Sequence, residues 1–248
     1  MFPFKTQIKS KLSGFILFFT FLTPLMAGQF GVSPIRIDLG RNAKSGAITV
    51  TNDEQADTLR AQLRLFEWTQ GAGGKDEYKE VEDLVYFPRL MALEKGEQKV
   101  VRVGLRTPAV EREKTYRLFI EELPPPPAPG GARVAISVRF GVPIFVKPAK
   151  EEASGEIDKI DMVKGVLRVG VRNIGNVHFT INSITAASGA AFSKEASGWY
   201  LLAGAEREHT IELPAAACTA LKQIDVTVKT DKLELKKTLD VNAAMCGT

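Results

Sequence analysis

Two histidines, two cysteines and a scatter of adjacent carboxylates are the residues of this chain best equipped for catalysis or metal binding, and their spacing favours neither. His178 follows a turn and His209 lies in a β-like stretch; both read as surface or half-buried strand residues rather than ligands. Glu121 and Glu122 are neighbours in a strand, where consecutive side chains point to opposite faces and cannot share a proton. Glu151 and Glu152 sit in a polar connecting segment. Residues 71–75, Gly-Ala-Gly-Gly-Lys, lack the spacing and the Ser/Thr of a phosphate loop and read as a hairpin tip. No Gly-x-Ser-x-Gly elbow and no His-Glu-x-x-His pattern occurs. The chain is therefore expected to be no enzyme and to carry no cofactor and no metal. Cys218 and Cys246 have no histidine beside them. In an oxidising compartment they read as one disulfide closing a loop of about 28 residues, worth about 3 kcal/mol in the chain-entropy model; the alternative is two buried thiols.

What remains is the chemistry of a sheet edge. In residues 133–146, Val134, Ile136, Val138, Phe140, Val142, Ile144 and Val146 recur at every second position. That is the period of a β-strand with one apolar face. The preceding segment, residues 123–131, is Leu-Pro-Pro-Pro-Pro-Ala-Pro-Gly-Gly and cannot hold a regular sheet. A half-apolar strand entered from such a segment is a pairing hazard unless something covers it. Val142, Ile144 and Val146 are expected in the protein's own core, and Val134, Ile136 and Val138 at the disposal of another protein, with Phe140 a fourth.

The elements around this strand are also β. The chain has 248 residues, 44% of them hydrophobic and 25% charged, as in folded globular proteins. Lys5, Lys9 and Lys11, then the apolar run 15–22, then small residues ending at Ala27, read as a secretory signal peptide over residues 1–27. The apolar run is shorter than a membrane span needs. The formal charge of +4 falls to 30 basic against 29 acidic residues once those three lysines go, so no nucleic-acid partner is implied.

Alternating stretches at 35–39, 46–51, 59–68, 98–105 and 115–123, broken by turn residues, predict one β-sandwich over residues 28–148. Residues 147–155 are polar, with a Pro and a Gly, and read as a linker. The pattern restarts at 166–172, 177–184, 208–213, 224–228 and 233–239, predicting a second sandwich over residues 149–248. The fold class is all-β, two immunoglobulin-like sandwiches in tandem.

Four stretches of the first half, taken in order, resemble the periplasmic chaperones of the chaperone–usher pilus pathway, the PapD-like family. They are Ser-Pro-Ile-Arg at 33–36 before Ser-Gly-Ala-Ile-Thr-Val-Thr-Asn at 45–52, and Leu-Glu-Lys-Gly at 93–96 with Val-Val-Arg-Val at 100–103. The others are Tyr116 to Pro125 and Val134 to Pro148. The second half is similar more loosely, through 169–176 and 200–204. The resemblance implies a non-enzymatic fimbrial chaperone of the periplasm. It would cap incomplete pilus subunits by donor-strand complementation and deliver them to an outer-membrane usher. Donor positions of the family fall on Val134, Ile136 and Val138. The free protein could cap its own edge by forming a homo-oligomer.

The family also anchors the subunit's C-terminal carboxylate with one Arg and one Lys in the cleft between domains. The Arg position matches Arg36, and a guanidinium binds a carboxylate through two parallel N–H donors. The Lys position falls on Pro143, which has neither charge nor N–H. Arg139, on the same face four residues away, and Arg89 are the candidate substitutes. Glu113 and Lys147 fall on two positions of the family's interdomain charged bridge. The competing reading is a secreted two-domain adhesin or carbohydrate-binding module, for which Tyr78, Tyr86, Trp199 and Tyr200 are the available aromatics. Trp199-Tyr200 enters a strand and reads as core.

Overall fold

The computed structural model describes residues 30–53, 57–106, 111–124 and 137–247. The predicted leader, residues 1–27, and the donor positions Val134 and Ile136 lie outside the described residues.

The chain runs β1 (Phe30–Ser33), β2 (Ile37–Leu39), β3 (Ser45–Asn52), β4 (Leu59–Gln70), β5 (Asp76–Glu80), β6 (Leu84–Phe87), β7 (Leu90–Leu93), β8 (Gln98–Leu105), β9 (Lys114–Glu122) and β10 (Arg139–Val146). A second series follows: β11 (Gly155–Val163), β12 (Val166–Asn173), β13 (Phe179–Ser188), β14 (Phe192–Ala196), β15 (Tyr200–Leu201), β16 (Glu206–Glu212), the short helix α1 (Ala215–Ala220), β17 (Gln223–Thr230) and β18 (Glu234–Asp240). The described residues form four sheets. The first series gives β1-β3-β8-β6 and β2-β10-β9-β4-β5, with β7 also on β4. The second gives β11-β12-β16 and β14-β13-β17-β18, with β15 on β13. The all-β architecture of stacked sheets is the one the alternating pattern demands.

Period-2 hydrophobicity decides which side chains enter each core. In β4, Leu59, Ala61, Leu63 and Leu65 are buried while Arg60 and Gln62 face out. They pack with Ile48, Val101, Leu118, Ile120, Val142, Ile144 and Val146 in the first core. The second core gathers Val169, Phe179, Ile184, Val226 and Val228. Burying each such side chain contributes about 1.5–3 kcal/mol. Two residues of the first series, Trp68 and Phe145, belong to this second core rather than to their own. Between β11 and β12, Lys164 and Gly165 both have positive φ, 52° and 76°, which lets a two-residue turn follow the twist of its strands.

The structure adds elements the pattern did not announce. β5 and β14 are mostly exposed, and β11 buries only Ile157 and Met162 among polar and half-buried residues, so no regular alternation marks them. The Gly-rich segment at 71–75 is the tip of the β4–β5 hairpin, tightened by a 3-10 turn over Ala72–Gly74. α1 brings Cys218 to Cys246, which lies in the last turn of the described chain. The two form a disulfide with Cα atoms 5.6 Å apart.

Candidate functional site

The two edges of β10 are not alike. On one side it pairs antiparallel with β9 along its full length, from Arg139↔Glu121 to Val146↔Lys114. On the other side, among the described residues, it pairs only through Ile144, Phe145 and Val146, with the short parallel strand β2. Among the described residues, the edge from Arg139 to Pro143 has no partner strand. The Glu122 N–H donates to the Val138 carbonyl. By antiparallel alternation, Phe140 and Val142 therefore turn their N–H and C=O toward β9. Arg139, Gly141 and Pro143 turn theirs to the open edge. The Lys147 N–H, which has the same parity, donates to Leu39 of β2 and agrees. Proline contributes a carbonyl there but no donor.

The side chains of β10 also divide. Phe140, Val142, Ile144 and Val146 point into the first core. Arg139, Gly141, Pro143 and Phe145 point to the outer face of the sheet, beside Thr115, Arg117 and Phe119 of β9 and Arg64, Phe66 and Trp68 of β4. This face is rich in rings and guanidiniums. Phe66 meets Phe119 edge-on at 5.6 Å, and Tyr78 meets Phe119 at 5.3 Å. Arg139 lies 3.7 Å above the Phe119 ring, and Arg64 lies 5.0 Å above Phe66. Gly141 faces Phe119 across the ladder, and a Cβ there would lie 2.8 Å from its ring. The absence of a side chain lets Phe119 lie flat across β10.

At its far end the same face meets the second series of strands. Phe145 stacks on His178 with centroids 3.6 Å apart, and Trp68 meets Tyr200 edge-on at 5.7 Å. Glu113 Oε2 accepts from the His178 backbone N–H at 2.8 Å and lies 2.7 Å from its Nδ1. Both residues are almost fully buried. The Gln70 side chain donates to the Tyr200 carbonyl and accepts from the Leu202 N–H. Arg207 of β16 reaches the Gly74 carbonyl at the hairpin tip.

Several expected residues stand differently here. Glu113 does tie the two series together, but to His178 and not to Lys147. Lys147 pairs with Glu151 one turn of chain away, at 3.2 Å. Desolvation explains the choice: a carboxylate this deep needs two donors at hydrogen-bond distance, and the His178 backbone and ring supply them. His178 is thus buried, not a surface or half-buried strand residue. His209 is half-buried on β16; burial, then the nearby charge of Arg207, push its pKa down to about 4. Trp199 is 48% exposed rather than core, and Tyr200 lines the junction.

The basic candidates also separate. Arg36 precedes β2 at the sheet edge, with Nε 3.0 Å from Asp38 Oδ2 and its guanidinium 5.9 Å from the Phe145 ring. Burial works against its charge, but Asp38 and the Tyr200 hydroxyl outweigh that and raise its pKa. Extending the β2–β10 register by one residue sets Arg36 opposite Pro143. Arg139 is bound by Glu121 at 2.8 Å and by the Phe119 ring. Arg89 caps Tyr86 and meets β4 on its far side, two strands removed from β10, so the fold does not bring it to Pro143. Val138 is half-buried just before β10. Sequence reasoning passed over Arg117. It is paired directly with Pro143, is only 9% exposed, and lies 4.1 Å above Trp68. Its one sequence signal is parity: it is the one cation in the outward set on β9.

A family profile described as the pili and flagellar-assembly chaperone, PapD N-terminal domain, matches residues 29–152, half of the chain. No curated protein matches it. Among solved structures, one similar chain belongs to the CsuC–CsuE chaperone–tip adhesion subunit pre-assembly complex from the archaic chaperone–usher Csu pili of Acinetobacter baumannii. It shows 19% identity and a TM-score of 0.60, with 84% of this chain and 98% of that chain covered. The Salmonella enterica SafA pilin in complex with the SafB chaperone gives 17% identity and a TM-score of 0.54, covering 86% and 98%. The class 5 fimbriae chaperone CfaA gives 13% and 0.55, covering 85% and 98%.

Proposed function

The chain belongs to the PapD-like pilus-assembly chaperones, a non-enzymatic family, and we propose that it lends the strand at residues 133–146 to an incomplete pilus subunit and hands the capped subunit to an outer-membrane usher. The family is periplasmic in general, and the charged and apolar leader at residues 1–27 fits export there with cleavage. Stripped of the leader, residues 28–148 act as the chaperone domain and 149–248 as its partner domain.

The observation that carries the reading is the open edge of β10 from Arg139 to Pro143, in line with an apolar ribbon whose inward members already fill the protein's own core. A strand laid along this edge gains main-chain hydrogen bonds. Val134, Ile136 and Val138 then offer alternating apolar side chains to a core that lacks a strand, while Phe140, the expected fourth, stays packed on the protein's own core. β-branched residues suit the task, because they lose little rotamer freedom on ordering. Arg36, at the end of that edge, holds the guest's terminal carboxylate through paired N–H donors.

Co-expression of the mature chain with pilus subunits encoded beside its gene tests this. The expected product is a soluble one-to-one complex, and Ile136→Asp should abolish it while the free chaperone keeps its melting temperature. Normal capture by that variant would refute strand donation.

A further inference from the structure

We propose that the tip of the β4–β5 hairpin is a proton-sensitive clasp between the two series of strands, closed while the His209 ring is neutral and released when that ring takes a proton. Neither state requires a guest chain.

The hairpin grips the second series through polar contacts that one movement would undo together. The Gln70 amide donates to the Tyr200 carbonyl at 3.0 Å and accepts from the Leu202 N–H at 2.9 Å, the two bonds a neighbouring strand would make there. Arg207 of β16 donates to the Gly74 carbonyl and lies 3.7 Å from Asp76. Gly74 has a φ of 73°, and a Cβ on it would lie 2.5 Å from Arg207 Nε, so only glycine seats this arginine.

His209 stands two residues along β16 from Arg207, so both side chains leave the strand on the same side. Ala205 and Ile211, of the same parity, are buried. Nε2 of His209 is buried too and has no hydrogen-bond partner among the described residues. Of the elements packed on β16, β12 sets the uncharged Val169 opposite His209, and the hairpin tip, Ala72–Gly74, brings no charged side chain. Lys194 of β14 is held by the Glu212 carbonyl, and Asp76 attends Arg207. Arg207 is thus the charge that acts on the ring, and it has the sign of a protonated ring. Burial first, then Arg207, hold the His209 pKa at about 4. Lifting the tip lets water reach the ring and frees Arg207 to swing away, so the ordinary value near 6.5 returns. The released form then binds a proton that the closed form refuses, and a fall in pH from about 6.5 toward 4 drives release.

The two series are joined a second time, where Trp68 and Phe145 meet Tyr200 and His178. Trp68, Phe145 and His178 are almost fully buried, whereas Ala72 and Gly73 at the tip are exposed. Polar contacts near solvent open at lower cost than a dry joint. The tip therefore lifts while the joint stays as a pivot.

Native-state hydrogen exchange of the mature chain, followed residue by residue by NMR, tests the clasp, because the protection factor of the Leu202 N–H measures how often Gln70 lets go. Between pH 7 and pH 4 that factor should fall at least about tenfold. His209→Gln, which takes no proton in this range, should keep its factor within twofold over the same span. Gly74→Ala, which pushes Arg207 off the tip, should already show at pH 7 the low protection that the wild type reaches at pH 4. Melting curves at pH 7 establish that each variant folds, and His209→Leu serves if His209→Gln does not. If the non-titrating variant loses protection in acid as the wild type does, acid acts through another group and the clasp is overturned. A wild-type factor that stays within twofold between pH 7 and pH 4 overturns it as well, and so does full protection of the Leu202 N–H in a folded Gly74→Ala at pH 7.

Discussion

The outer face of the β2-β10-β9-β4-β5 sheet is built twice from similar materials. At one end Trp68 and Phe145 project from β4 and β10; at the other, Phe66 and Phe119 project from β4 and β9. All four have the same outward parity on their strands. The first pair is fully buried, because His178 and Tyr200 of the second series lie on it. The second pair is covered by side chains of its own sheet, Arg139 and the Tyr78 ring over Phe119 and Arg64 over Phe66. Local sequence makes both ends sticky, and a neighbouring sheet closes only one of them. The arginines shield the other end reversibly, since a cation above a ring contributes about 0.5–1 kcal/mol at an exposed site.

Removing a ring at the closed end should hurt most. Phe145→Ala is expected to cost about 3–5 kcal/mol, as for other large buried side chains. It should also loosen the junction at His178, seen as faster hydrogen exchange at the backbone N–H that Glu113 holds. A loss below 1 kcal/mol would mean that the two series of strands do not depend on each other. Acid should act next, through the second series. His209 stays neutral in the fold down to about pH 4, whereas unfolded histidine takes a proton near 6.5. Stability contributed by the neutral ring is present above pH 6.5 and declines as the pH falls toward 4. Because the ring is partly solvated, the loss is about 1–2 kcal/mol. Melting curves between those pH values should show it, and His209→Gln should flatten the slope. The smallest effect belongs to the open end. Arg139→Ala should cost less than about 1 kcal/mol in stability. It uncovers Phe119, however, and should raise self-association of the free protein in sedimentation experiments. An unchanged monomer would show that Arg139 is not a shield.

Strands with one wet face were legible from sequence. β3, β4, β8, β9 and β10 announce themselves because a single buried side forces alternation. β5 reads Asp-Glu-Tyr-Lys-Glu and has almost nothing to bury, so its position follows only from the hairpin that folds it onto β4. Phe145 was overlooked for the opposite reason. It falls among Arg139, Gly141 and Pro143 in the outward set, and its burial is decided by residues more than thirty positions later. Glu113 and His178 meet across 65 residues, a separation over which spacing carries no signal. Arg117 was hidden in an apolar stretch where a lone charge looks solvated; only the ladder shows that it stands beside Pro143.

The proline on β10 has a consequence for selectivity. By withholding one amide where β2 takes over the ledge, Pro143 turns the edge into a gauge of length. On the proposed strand donation, a foreign strand that slid one step further would find neither a hydrogen to accept nor an empty berth, and one that stopped short would leave its charged end away from Arg36. Lodgers of different sequence must then share a common measure from their last residue backwards. A single residue without a donor would thereby impose the same alignment on every chain seated there.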